Sequence, residues 1–185
     1  MKFAVLATLA FTLAACVHRS SPLPVYFDVP EFQLIAQDGH AFDSKVLAGK
    51  IWVADFIYTT CPGPCPRMTS QMHDVQNATG KMPDVKLVSF TVDPERDTPA
   101  VLAAYARAHH ASAEQWYFLT GSTATLQKLD RDTFKLGDLN KALQHSTRFV
   151  LVDRQSRIRG YYDTSESASI QKLIENIRSL ARESS

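Results

Sequence analysis

The feature that most constrains this chain is an apolar run that breaks abruptly into a proline-rich cysteine pair. Ile51 to Tyr58 (IWVADFIY) is almost continuously apolar and of strand length, the pattern of a central strand buried on both faces. Thr59 to Pro66 interrupts it with Cys61-Pro62-Gly63-Pro64-Cys65. A helix is expected from about Cys65 to Ala78, with Met68, Met72 and Val75 on one face. Strand, cysteine loop and helix in that order place two sulfurs on a stiff turn at a helix N-terminus. Partial positive charge there favours thiolates, which act both as nucleophiles and as metal ligands. A structural disulfide would explain neither the loop position nor the two prolines, so the pair reads as a redox or metal site.

The remaining elements fall into an α/β order. Phe32 to Ile35 and Ala41-Phe42 around Asp38-Gly39 read as a short N-terminal hairpin. Val85 to Val92 is a second buried strand, and Asp97-Thr98-Pro99 opens a helix with a capping side chain followed by proline. That helix would bury Val101, Leu102, Tyr105 and Ala108. Trp116 to Leu119 is a short strand, and Thr123 to Leu129 a short helix. Ser146 to Val152 and Ile158 to Tyr162 form a hairpin around Asp153-Arg154-Gln155. The last helix, Ser165 to Arg182, buries Ile170, Leu173, Ile174, Ile177, Leu180 and Ala181, with Asp163 and Glu166 framing its start as a capping box. Early alternation favours parallel strands and the late hairpin adds antiparallel ones. The expected architecture is a thioredoxin-like α/β fold: a central mixed sheet flanked by helices, with an N-terminal β-hairpin extension. Trp52 and Trp116 read as core.

The first residues read differently. Lys2 precedes an apolar stretch from Phe3 to Ala15, thirteen residues, against about 20 needed for a membrane-spanning helix. It suits a signal peptide, and Leu13-Ala14-Ala15-Cys16 resembles a bacterial lipobox, in which Cys16 would become the diacylated N-terminus. The alternative is an ordinary cleavage site with an incidental Cys16. The expected layout is a signal peptide over 1–15, a lipidated Cys16 with a polar, proline-containing tether over 16–28, and one folded domain over 29–185. The protein would then be a membrane-anchored lipoprotein on the periplasmic face of a bacterial cell envelope. A chain of 185 residues with 45% apolar side chains is long enough for one full core. With 21% charged residues, a formal net charge of +1 and scattered Lys and Arg, it carries no electrostatic footprint for nucleic acid.

The Cys-x-x-x-Cys spacing alone does not separate redox from metal chemistry. Thiolates suit Cu(I), and an added imidazole suits Cu(II) and Zn(II) as well. Of the six histidines, His18 lies in the tether and His40 in a hairpin turn. His73 stands roughly 12 Å along the helix from Cys65, too far to share an ion. His109 and His110 close a helix, where a cation is favourable in any case. His145 leads directly into Ser146 to Val152, the strand expected beside the cysteine-bearing one, and is a candidate ligand. Met68 and Met72 are either auxiliary soft ligands or, as their helical spacing favours, core. Asp93 and Asp97 either orient the cysteine loop or shape a turn and a cap.

Four motifs then occur in one order: Cys61-Pro-Gly-Pro-Cys65-Pro66, Asp93-Pro-Glu-Arg-Asp-Thr-Pro99, Trp116-x-x-Leu119-Thr120-Gly121, and His145-Ser146 running into Leu151-Val152-Asp153. In these, from about Val29 to Arg178, the chain resembles the Sco/SenC family. The resemblance implies a thioredoxin fold with a copper site made of Cys61, Cys65 and His145. It also implies service to the dinuclear copper centre of cytochrome c oxidase during assembly. That service would be copper delivery to the copper-accepting subunit, or exchange with another copper chaperone. The alternative is a thiol–disulfide reductase that keeps the oxidase cysteines reduced, with Cys61 as nucleophile and Cys65 as resolving thiol. Against a general oxidoreductase stand the extra residue between the cysteines and the lack of any proline after Pro99. A thiol peroxidase shares the fold, and Thr60 adjoins Cys61, but the Pro-Gly-Pro bridge is unlike that arrangement. Phe134 to Gln144 is short where many relatives carry a longer loop, so partner docking follows less directly than the ligand set.

Overall fold

A computed structural model describes residues 22–137 and 146–183. Seven strands form one mixed sheet in the order β2-β1-β5-β4-β3-β6-β7. These are β1 (Gln33–Ala36), β2 (Ala41–Asp43), β3 (Ile51–Ile57), β4 (Val85–Thr91), β5 (Trp116–Thr120), β6 (Arg148–Val152) and β7 (Ile158–Asp163). The helices are α1 (Cys65–Thr79), α2 (Pro99–Ala108), α3 (Thr123–Lys128) and α4 (Ser167–Arg182). β3, β4 and β5 are parallel, and the two later strands run antiparallel to their neighbours. The hairpin β1–β2 extends the opposite edge by pairing antiparallel with β5. This is the thioredoxin-like α/β arrangement expected from the sequence. Among the described residues no helix is long and apolar enough to cross a membrane.

Because successive side chains on a strand point to opposite faces, β3 feeds two cores. Ile51, Val53 and Ile57 join Cys65, Met68, Met72 and Val75 of α1, with Leu102 of α2 and Leu173 and Ile177 of α4. Trp52, Ala54 and Phe56 face the other way, onto Phe32, Phe42, Leu126 and Phe134. Met68 and Met72 are wholly buried, as are Trp52 and Trp116 within about a percent; all four are core. The same alternation puts Asp55 on the α1 side of the sheet.

Three local expectations need correction. α2 buries Leu102 and Ala106, an i,i+4 pair, whereas Val101 is 38% exposed and Ala108 faces solvent. The apolar residues outnumber those its contact with β5 can cover. The capping box at α4 does not form. Asp163 instead accepts from the backbone N–H and hydroxyl of Ser165, and Glu166 is the N-cap without a side-chain cap bond. Beyond α3 the chain makes a π turn, Leu129–Thr133, which carries Leu129 and Phe134 into the second core. The Asp38-Gly39 turn does form, with Gly39 at φ 84°, a left-handed value that glycine adopts without penalty.

Residues 23–28, assigned to the tether by sequence, are bonded to the start of β7. Tyr26 N–H donates to Ile158 O (2.9 Å) and Ile158 N–H to Phe27 O (2.7 Å). The buried Arg159 donates to the carbonyls of Pro24 (3.0 Å) and Leu23 (2.7 Å) and to Asp153 Oδ2 (2.8 Å). Asp153 also accepts from the Arg157 side chain (2.9 Å) and from the backbone N–H groups of Gln155 and Arg157. Burial alone would raise the Asp153 carboxyl, but the bonds from Arg157 and Arg159 outweigh it and hold the group below its usual value. Its contribution is therefore present above about pH 4 and is lost as pH falls through the depressed native value. Asp153→Ala, which leaves buried Arg159 with only the longer Glu183 contact (3.5 Å) as counter-charge, is expected to cost about 3 kcal/mol in urea unfolding at pH 7. That deficit should shrink as the pH is lowered below 4.

Candidate metal and thiol site

The cysteine loop springs from the C-terminal end of β3 and is closed by the first turn of α1. Cys61 N–H donates to Tyr58 O (3.2 Å), and Met68 N–H to Pro64 O (3.0 Å). Cys65 and Pro66 occupy the first two positions of α1, where a missing N–H costs nothing. Gly63 N–H donates to Cys61 Sγ at 3.4 Å. Cys61 and Cys65 are not joined in a disulfide here, and their side chains are in hydrogen-bond contact with each other.

Asp97 anchors the base of this loop. Its wholly buried carboxylate accepts from Thr59 N–H (3.1 Å) and the Thr59 hydroxyl (2.5 Å), and from the Thr91 hydroxyl at the end of β4 (2.6 Å). Asp97 is thus a loop-positioning residue, and the α2 cap is Thr98. Asp93 accepts from Arg96 Nη1 at 2.8 Å and lies close enough to raise the Tyr58 hydroxyl. That shift comes first from a hydrogen bond with the Cys61 side chain, then from burial and nearby negative charge.

The two sulfurs are not equivalent. Cys61 keeps 8% exposure and Cys65 none. Burial pushes the Cys65 thiol well above its ordinary range, and its contacts with Cys61 and the charge of Asp55 push the same way; a bond from Tyr58 N–H opposes them. At Cys65, then, desolvation outweighs the helix-terminus effect expected from sequence. Tyr105, bonded to the Thr69 hydroxyl at 2.8 Å, is pushed up to about 12, chiefly by burial and then by the charges of Cys65, Asp55 and Cys61. Asp55, Tyr58 and Thr59 were not singled out by sequence as site residues, and Tyr105 was read only as part of the buried stripe of its helix. A carboxylate inside the run IWVADFIY was the one signal available.

His145 and Cys16 lie outside the described residues, as does His18. The strand that His145 leads into does lie beside β3: Ala54 pairs with Val150 and Trp52 with Val152, antiparallel. Antiparallel pairing puts the start of β6 at the same end of the sheet as the C-terminal end of β3, from which the cysteine loop departs. Thr147 O accepts from Thr164 N–H (2.8 Å), and Thr164 O from Gln71 of α1 (3.0 Å), which ties this end of β6 to the cysteine helix. His40 stays in its turn, 84% exposed. His73, His109 and His110 gather far from the thiols.

The SCO1/SenC family model matches residues 26–182. The chain belongs to the SCO1/SenC family. Its fold is close to that of a SCO1/SenC family lipoprotein from Bacillus anthracis, at 34% identity and TM-score 0.76, covering 84% of this chain and 96% of that one. BsSco, described through a disulfide switch and as a member of the Sco family of cytochrome c oxidase assembly proteins, is 30% identical. The TM-score there is 0.78, over 89% and 100% of the two chains. The ScoI protein of Bradyrhizobium japonicum, solved with copper bound, is 26% identical with TM-score 0.68, over 83% of this chain and 99% of that chain.

For this SCO1/SenC protein the unequal burial of the two sulfurs sets an order of reactivity. Under native conditions iodoacetamide is expected to modify Cys61 well before Cys65, read by peptide mass spectrometry. Asp97→Asn, which weakens the hold on Thr59, should narrow the gap between the two rates. Equal rates in the unsubstituted protein would contradict the site geometry.

Proposed function

We propose that Cys61, Cys65 and His145 together bind copper, and that the protein hands it to the copper-accepting subunit of cytochrome c oxidase during assembly. The observation that carries this reading is the pair of thiols in contact at the mouth of α1, beside the strand that follows His145. Two thiolates form a low-coordinate site for Cu(I), and an imidazole extends it to Cu(II). A buried Cys65 thiolate is costly unless a cation offsets it, so copper entry and proton release at Cys65 are coupled. Cys61, the more accessible sulfur, is the ligand through which an incoming thiolate of the acceptor begins exchange. The Bradyrhizobium relative was solved with copper bound and BsSco is described among the oxidase assembly proteins, which supports the same reading here.

The test is titration of the reduced protein with Cu(I) and with Cu(II), anaerobically. One tightly bound equivalent of each is expected at this site. His145→Ala should weaken Cu(II) far more than Cu(I), and Cys61→Ser or Cys65→Ser should abolish tight binding of both. Stoichiometric binding of neither ion would overturn the proposal.

A second reading rests on the contact between the thiols: the pair closes readily to a disulfide, and the reduced form can pass its electrons to the oxidase copper-site cysteines. The dithiol gives two electrons and two protons, and one disulfide is exchanged for another. The disulfide form cannot hold copper through thiolates, so the two roles alternate on one pair.

The relative from Bacillus anthracis is described as a lipoprotein, in keeping with a diacylated Cys16 holding this domain on the periplasmic face of a membrane. In cells, the mature protein is expected in the membrane fraction with an N-terminal mass shift for a diacylglyceryl group. Cys16→Ala should lose that shift and leave the precursor unprocessed at Cys16.

A further inference from the structure

Three of the six histidines meet at the end of α1 remote from the thiols. The rings of His73, on α1, and His110, just past α2, have centroids 6.3 Å apart and planes inclined at 55°. His109 lies against Tyr105 with centroids 4.3 Å apart. Its imidazole is held below the usual value by burial first and then by His110 and His73, so all three rings are within electrostatic reach of one another. Among the described residues no three metal-ligating side chains already converge on a point; the geometry offers a pair.

That pair is firmly mounted. Gln76, buried and one turn beyond His73, donates from its side-chain amide to His110 O (3.1 Å) and accepts from Ser112 N–H (2.7 Å), fixing the His110 turn to α1. His110 has φ 56°, a left-handed position where glycine is the cheapest occupant and histidine is one of the few others tolerated. The Asn77 side-chain amide lies 3.3 Å from Nδ1 of His73; turned so that its oxygen accepts from Nδ1–H, it would hold the ring and leave Nε2 as the metal donor. Two imidazoles that share an ion at about 2.0–2.1 Å from each nitrogen have centroids at most about 6.5 Å apart. The observed 6.3 Å is close to that upper limit, which corresponds to two imidazoles on opposite sides of one ion, a tetragonal Cu(II) arrangement rather than the tetrahedral one of zinc. His110 is exposed and His73 half-buried, so water has access to complete a coordination shell.

We propose that His73 and His110 form a second metal site on this protein, for Cu(II). Imidazole donors favour Cu(II) over Zn(II), whereas Cu(I) prefers thiolates. The site is independent of Cys61, Cys65 and His145, since His73 stands roughly 12 Å along α1 from Cys65.

The test uses the full mature chain with Cys61→Ser and Cys65→Ser, which removes both thiolates, and follows histidine ring signals by NMR as Cu(II) is added. The His73 and His110 signals are expected to broaden together at less than one equivalent, before that of exposed His40. In His73→Ala or His110→Ala, the concentration needed to broaden the remaining ring should rise about tenfold or more. If both rings stay sharp after His40 has broadened, or if neither substitution moves the titration, the proposal fails. The disulfide form of the unsubstituted protein, which has no thiolate, gives the same reading should the serine variant not fold.

Discussion

The site depends on one buried carboxylate. Asp97 receives the backbone and hydroxyl of Thr59 on one side and the hydroxyl of Thr91 on the other, so the C-terminal ends of the two central parallel strands are cross-tied just where the cysteine loop departs. A charged hydrogen bond of this kind is worth about 1.5–3 kcal/mol, and removing the carboxylate would leave donors at the root of the loop unsatisfied. With that root fixed, the prolines at 62, 64 and 66 leave the loop few alternatives. The sulfurs are thereby held together before any ion arrives, so less ordering is required when one binds.

Around this tie the protein keeps its two thiols in unlike surroundings. Cys65 belongs to the same apolar cluster as Met68, Met72 and Phe149, and burial keeps it protonated. Cys61 sits at the rim and touches Tyr58. A cation that binds both converts a disfavoured buried thiolate into a neutralised one, and loss of the cation restores the protonated state. On the proposed reading, ion binding and ion release at the site are therefore coupled to proton release and uptake. Asp55, on the α1 side of β3, lies close enough to push the Cys65 thiol up further.

Much of this was legible in the sequence because the decisive patterns are local. The apolar run of β3, the prolines of the loop and the Asp-Gly turn each act over a few residues, and the elements they predict lie where expected. What was not legible depends on contacts between distant segments. Asp97 reads equally as a helix cap or a loop anchor until Thr59 and Thr91 are brought to it. The helix-terminus effect on Cys65 was readable, but the burial that overrides it is set by residues from α2, α4 and β6. Val101 fits a helical stripe and is nonetheless exposed, because an apolar pattern does not say how much of a short helix the sheet will cover. The gathering of His73 with His109 and His110 needed α1 and α2 to be packed side by side.

The central claim is that two sulfurs near residue 60 and one imidazole from the segment before β6 surround a single copper ion. X-ray absorption spectroscopy of the protein carrying His73→Ala, which removes the imidazole pair of the second site, and loaded with one equivalent of Cu(II) addresses it directly. The account predicts two sulfur scatterers and the multiple-scattering signature of one imidazole, the latter lost in His145→Ala. A shell with no sulfur, or an imidazole signature that persists unchanged in that variant, would contradict it.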